Sequence, residues 1–218
     1  MLRWSIPGLM IALGLMQTAQ SPASQVKTPD YKACGLEVRL DRARPLADWK
    51  KTIAGYSERH YAEKTWELKP QALVMHYTAG EGFPWNLVNS KDFAGETPGL
   101  ASHYVVDGET IWEVLPPFVR SRATYGINHR ALSIEMVARD AQDLAHRPST
   151  LKSATRLASC LMRFYQIPEQ KLYSHQAVSR MNPAEIPEVK DLIDAHPYHK
   201  VDPGENNMAT IRKGLRQN

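Results

Sequence analysis

The sequence predicts a single α/β domain, a mixed central β-sheet with helices on its faces, and three observations predict it. Short apolar, β-prone runs at 71–77 and 132–138 are bounded by turn residues, as buried strands are. Apolar positions at Leu151, Ala154, Ala158, Leu161 and Tyr165 recur at helical spacing. Strand-like and helix-like segments alternate along the chain without internal repeats. At 218 residues there is room for one sizeable core, and a second full domain would be cramped.

Taken in order, Met1-Leu2-Arg3 is a positive start and Trp4 to Met16 a short apolar run, followed by the small and polar residues Thr18 to Ala23. That order is expected of a secretory signal peptide over residues 1–23, with an uncleaved anchor as the alternative. The run is too short to cross a bilayer core of about 30 Å as a helix. Residues 24–44 form an N-terminal lead-in, polar and Pro-containing up to Ala33 and expected to be flexible there; 45–218 is the domain. Pro45 to Trp66 suits a helix interrupted near Gly55, and Gly80 to Leu100 a loop at the rim of a site. Ser102–Val106 and Thr110–Leu115 flank Asp107-Gly108, a hairpin pattern. The helix over 149–165 has Ser149 or Thr150 as its cap and Pro168 just past its end.

Hydrophobic residues at 43% and charged residues at 23% exclude a disordered or fibrous chain. A net charge of +4 is a mild bias towards anionic surroundings, and no Lys/Arg block interleaved with aromatics supports nucleic-acid binding. Export permits a bridge between Cys34 and Cys160, the two cysteines, but two cysteines carry no spacing signal and two separate thiols are the alternative.

Among eight histidines, His76 ends an apolar strand and His175 follows the strand-like Leu172-Tyr173-Ser174. Asp202 lies in a turn fixed by Pro203 and Gly204. Two neutral imidazoles and a carboxylate make a three-ligand zinc set with a fourth position open to water. The spacing does not bring them together, since no HExxH or CxxC pattern places them on one face.

Five segments follow one another along the chain: Val74-Met75-His76-Tyr77-Thr78-Ala79, Ala101 to Gly108, Asn128 to Glu135, Tyr173-Ser174-His175-Gln176 and Lys200 to Gly204. Their order resembles that of the type-2 N-acetylmuramoyl-L-alanine amidases of the phage-lysozyme and peptidoglycan-recognition-protein superfamily. The resemblance implies a zinc site at the sheet edge held by His76, His175 and Asp202, with Glu135 as catalytic carboxylate and Lys200 facing an oxyanion. A structural ion pair at Glu135 and a solvated Lys200 are the bland alternatives.

The activity implied is zinc-dependent hydrolysis of the amide between N-acetylmuramic acid and L-alanine in peptidoglycan or muropeptides, in the periplasm or secreted. A non-catalytic peptidoglycan receptor and a zinc peptidase cutting within the stem peptide are the alternatives. Trp85, His103, Tyr125 and Asn128 are candidate substrate contacts, with packing the alternative for His103, and Phe83 another aromatic of the groove. His129 is expected to be structural. Two departures from the family pattern stand out. Tyr125 occupies a position where many relatives carry histidine, and 26 residues separate His175 from Asp202. That connection contains His196 and His199, which are expected either to compete as ligands or to shape the peptide end of the cleft.

Overall fold

A computed structural model describes residues 28–217, so the expected signal peptide lies outside the described residues. Six strands form one mixed sheet: β1 (Val38–Arg39), β2 (Ala72–Tyr77), β3 (Tyr104–Asp107), β4 (Thr110–Glu113), β5 (Ala131–Met136) and β6 (Leu172–Ser174). Their spatial order is β1-β4-β3-β5-β2-β6, antiparallel only within the β3–β4 hairpin. The helices are α1 (Leu46–Tyr61), α2 (Trp85–Asn89), α3 (Ala141–Ala145), α4 (Pro148–Tyr165), α5 (His175–Ser179) and α6 (Glu205–Leu215). None among the described residues is long and apolar enough to cross a membrane.

Side-chain alternation along the strands divides the interior in two. Leu73, Met75, Tyr104, Leu132, Ile134 and Met136 point to one face, where they join the apolar stripe of α4 and Met208 and Ile211 of α6 in the main core. Residues one position away point to the other face, where Ala72, Val74 and Ala131 pack with Ile127 and Val178. Near the ends of β2 and β5 the same alternation puts His76 and Glu135 on that second face. One face is therefore dry and fixes the register, leaving the other free to bear polar groups.

The helix over 46–61 runs without interruption through Gly55. An interior glycine costs only about 1 kcal/mol, which burial of Trp49, Ile53 and Tyr56 from the same helix outweighs. α4 begins two to three residues earlier than a Ser149 or Thr150 cap implies, with Arg147 as its N-cap, Pro148 at its first position and no side-chain cap. Thr150 instead accepts the Gly108 N–H at 2.9 Å, pinning the hairpin turn, where Gly108 has φ +57°. The expected loop over 80–100 contains the short α2, and α6 and β1 are elements that the sequence reading did not predict.

The described part of the lead-in is docked rather than flexible. Leu36 is buried in the main core, β1 pairs with β4, and Tyr31 donates to Glu113 at 2.6 Å. Cys34 and Cys160 form a disulfide that ties this segment to α4 across a sequence separation of 126.

Two stability predictions follow from these features. In the chain-entropy account a bridge closing so long a loop contributes roughly 2–5 kcal/mol. A Cys34→Ser/Cys160→Ser variant should lose stability of that order in urea unfolding. Separately, burial pushes His103 and His129 down to about 4 from an ordinary value of 6.5. Between those limits the unfolded chain binds more protons, so their contribution is complete above about pH 6.5 and is lost as pH falls towards 4. His103→Gln should flatten the slope of unfolding free energy near pH 5.5 by about 1.4 kcal/mol per pH unit, one proton's worth.

Candidate metal centre and cleft

β2, β5 and β6 are mutually parallel neighbours, so their C-terminal ends lie together at one side of the sheet. Open α/β sheets place their sites at that side. His76 is near the end of β2 and pairs in register with Glu135 of β5, while His175 begins α5 immediately after β6. Asp202 comes from the connection that follows α5, held by its carbonyl, which accepts the Gln176 N–H at 2.9 Å.

The three ligand-type residues converge. His76 Nδ1 lies 2.9 Å from His175 Nδ1, and Asp202 Oδ2 lies 3.3 Å from the first and 3.1 Å from the second. A tetrahedral zinc with bonds of about 2.0–2.1 Å has ligand–ligand edges of about 3.3 Å, so this triangle fits such an ion. The far nitrogens are occupied: His76 Nε2 is 3.0 Å from Thr124 Oγ1, and His175 Nε2 is 3.1 Å from Tyr198 Oη. With the ring protons on those outer nitrogens, both Nδ1 lone pairs face the carboxylate, an arrangement that a cation resolves.

The charge states agree with that donor set. Burial, then the neighbouring His76, pushes His175 down to about 4, so it is neutral near pH 7. Burial raises Asp202, but its contacts with the two imidazoles overrule this and hold it well below the usual carboxylate range. Glu135 differs from both. Burial pushes it up to about 7, against the pull of His76 and Lys200 and with a further upward push from Asp202. Its Oε2 is buried without a hydrogen-bond partner. An orphaned carboxylate oxygen is costly, and here it lines the same cleft as the cluster. The structural ion pair considered for Glu135 is not among the described ion pairs.

A cleft of about 270 Å³ opens over these groups, lined also by Leu87, Leu100, Arg122 and Lys200. Beside it lies a second cleft of about 400 Å³, walled by Tyr56, Phe93, Glu96, Tyr125, Asp194 and His196. The two share Leu100, Arg122, Ala123, His175 and Lys200, so they adjoin beside the cluster. Arg122 builds part of the wall. Its guanidinium donates to the carbonyls of Phe93, Glu96 and Pro98 and to the Glu96 carboxylate, and stacks 4.7 Å from the Tyr56 ring.

The structure thus brings His76, His175, Asp202, Glu135 and Lys200 together, and Tyr125 and Asn128 to the second cleft. Asn128 is nearly buried, and its Oδ1 accepts the N–H groups of Ala123 and Thr124, holding the turn that carries Thr124. His103 is not brought to the groove. It is fully buried, bonded to the Val119 carbonyl and to Ser133, the packing alternative. Trp85 lines neither cleft; half-exposed, it meets Phe83 edge to face at 4.8 Å, beside the Arg42 guanidinium. His129 stacks on Tyr61 at 4.0 Å and is structural.

His196 and His199 do not join the metal-type cluster. His196 contacts the Tyr125 hydroxyl at 3.1 Å and walls the second cleft, while His199 lines the first. The residues that sequence reasoning missed are Thr124, Arg122 and Tyr198. Thr124 adjoins the singled-out Tyr125 and Tyr198 lies between the singled-out His196 and His199, but position alone gives neither a partner.

The family model described as N-acetylmuramoyl-L-alanine amidase matches residues 66–205. A structure of a PlyL mutant aligns with a TM-score of 0.53 at 15% identity, covering 84% of this chain and 100% of that one. A mutant endolysin from Bacillus subtilis aligns with a TM-score of 0.48 at 16% identity, covering 81% and 99%. The N-acetylmuramoyl-L-alanine amidase LysC from Clostridium intestinale gives 0.44 at 22% identity, covering 52% and 79%. At such identities the first of these shows a shared fold. No curated protein matches the chain. Because the family match takes in well over half of the residues, from before β2 to the start of α6 and with every member of the cluster inside it, the chain belongs to the type-2 N-acetylmuramoyl-L-alanine amidases, enzymes that hydrolyse an amide bond in peptidoglycan.

Proposed function

We propose that this enzyme is a zinc-dependent hydrolase of the amide joining the lactyl group of N-acetylmuramic acid to L-alanine, acting outside the cytoplasm on peptidoglycan or its fragments. The observation that carries the reading is the convergence of two imidazoles and a carboxylate beside a buried Glu135 whose Oε2 has no hydrogen-bond partner. His76, His175 and Asp202 would hold the ion; bound there, zinc supplies Lewis acidity towards water and the amide carbonyl.

The protein's own groups do the rest. Glu135, poised near neutrality, takes a proton from the attacking water as its oxygen adds to the carbonyl carbon. It then returns that proton to the amide nitrogen as the C–N bond breaks, leaving a lactyl carboxylate and the free amino group of alanine. Lys200, at the junction of the two clefts, sets its ammonium against the oxyanion that forms in between. The two adjoining clefts offer an extended substrate a place on either side of Lys200. A receptor without turnover is disfavoured, because each ligand position holds a competent donor.

The decisive experiment is mass spectrometry of a defined muropeptide incubated with zinc-loaded protein and with a chelated control. Free sugar and a peptide beginning with L-alanine should appear only with zinc; a cut inside the stem peptide would move the enzyme to the peptidase class. Glu135→Gln should lower kcat by about 10²–10⁴-fold while zinc content by elemental analysis stays near that of the wild type. As a base Glu135 works ionised, so kcat/KM should fall as pH drops through its pKa. Nearby zinc favours the ionised form, so this acidic limb should lie below the value of about 7 that Glu135 has without metal.

A further inference from the structure

The connection between His175 and Asp202 is longer than the family pattern implies, and the structure shows where it goes. It folds back over the second cleft and is pinned at three points. The Tyr198 N–H donates to the Ser179 carbonyl at 3.0 Å, the Tyr125 hydroxyl donates to the Asp194 carbonyl at 2.7 Å, and His60 Nδ1 meets the Asp194 carboxylate at 3.1 Å. These contacts leave the Tyr198 hydroxyl between two groups, the Tyr125 carbonyl at 2.9 Å and His175 Nε2 at 3.1 Å.

A phenol has one proton to give. A carbonyl can only accept, so that proton goes to the Tyr125 carbonyl, and the phenol oxygen must accept from His175. The acceptance requires a proton on Nε2 of His175, which leaves Nδ1 as a lone pair aimed at His76 and Asp202. Thr124 stands in the equivalent place beside His76, but its hydroxyl can rotate and serve either ring form. The tautomer of one histidine is therefore imposed and that of the other merely permitted.

We propose that Tyr198, contributed by the inserted connection, is a positioning residue that holds His175 as a ligand through Nδ1. The insert is then part of the metal centre rather than an appendage to it. This inference rests on the metal reading given above.

The test uses the full mature chain, wild type and Tyr198→Phe, which keeps the ring and its packing. Zinc affinity is measured by competition with a chromophoric chelator, and the imidazole nitrogens of the zinc-loaded protein are followed by NMR. In the wild type, His175 should show zinc on Nδ1 and a slowly exchanging Nε2 proton. In the variant that proton should exchange quickly, and zinc should bind about 10–100-fold more weakly, with the metal-free protein still unfolding cooperatively. Zinc on Nε2 of His175 in the wild type would overturn the proposal without recourse to any variant. Equal zinc affinity within twofold and an unaltered Nε2 proton in the variant would also overturn it, leaving the metal reading intact. A wild type that binds no zinc would remove the metal reading, and the proposal with it.

Discussion

Three electron-pair donors forced to within about 3 Å of one another are the constraint around which this molecule is organised. Two imidazoles and a carboxylate this close need a proton or a cation shared between them, so the scaffold has to hold them there. Parallel pairing of β2 with β5 and β6 supplies two of the three positions, and the dry face of the sheet locks that pairing in register. A one-residue slip of β2 would bury His76 against α4 and expose Met75 to the cleft. The hydrophobic core therefore sets the coordinates of the polar site on its other side.

The same alternation explains Glu135. It is two residues along from Ser133 and directly beside His76, so it reaches the cluster without leaving the strand. Burial keeps water from its carboxyl and lifts its proton affinity into the range useful for proton transfer at neutral pH. Asp202 is equally a carboxylate and nearly as buried, yet the two imidazoles hold it ionised. Two acids of similar kind, a few ångströms from the same point, are thus given opposite duties by their neighbours.

Much of this was legible in the chain itself. The strands at 72–77 and 131–136, the hairpin and the long helix follow from local pattern, because each is a short run whose period or turn chemistry is unambiguous. The identities of His76, Glu135, His175, Lys200 and Asp202 came from segments whose order resembles one family. Their convergence could not come from spacing, since parallel pairing joins residues far apart in sequence. What stayed hidden has a common physical character. Thr124 and Tyr198 act by the direction of one hydroxyl proton, and His103 is disqualified by burial alone, properties that exist only once the chain has closed. Trp85 read as a cleft aromatic from its Gly- and Pro-rich surroundings, but the turn of α2 that sends Leu87 to the groove leaves Trp85 outside it.

The strand order also sets a timetable. Within the sheet the hairpin of β3 and β4 is the local event, and each other pairing must close a longer loop. β2 leaves the ribosome early, but its neighbours β5 and β6 follow some 60 and 100 residues later, and Asp202 later still. Until those later segments exist, His76 has neither of its partners, whatever else of the chain has folded. Completion of the cluster therefore waits for nearly the whole polypeptide. An unfinished chain is, by its topology alone, without its site.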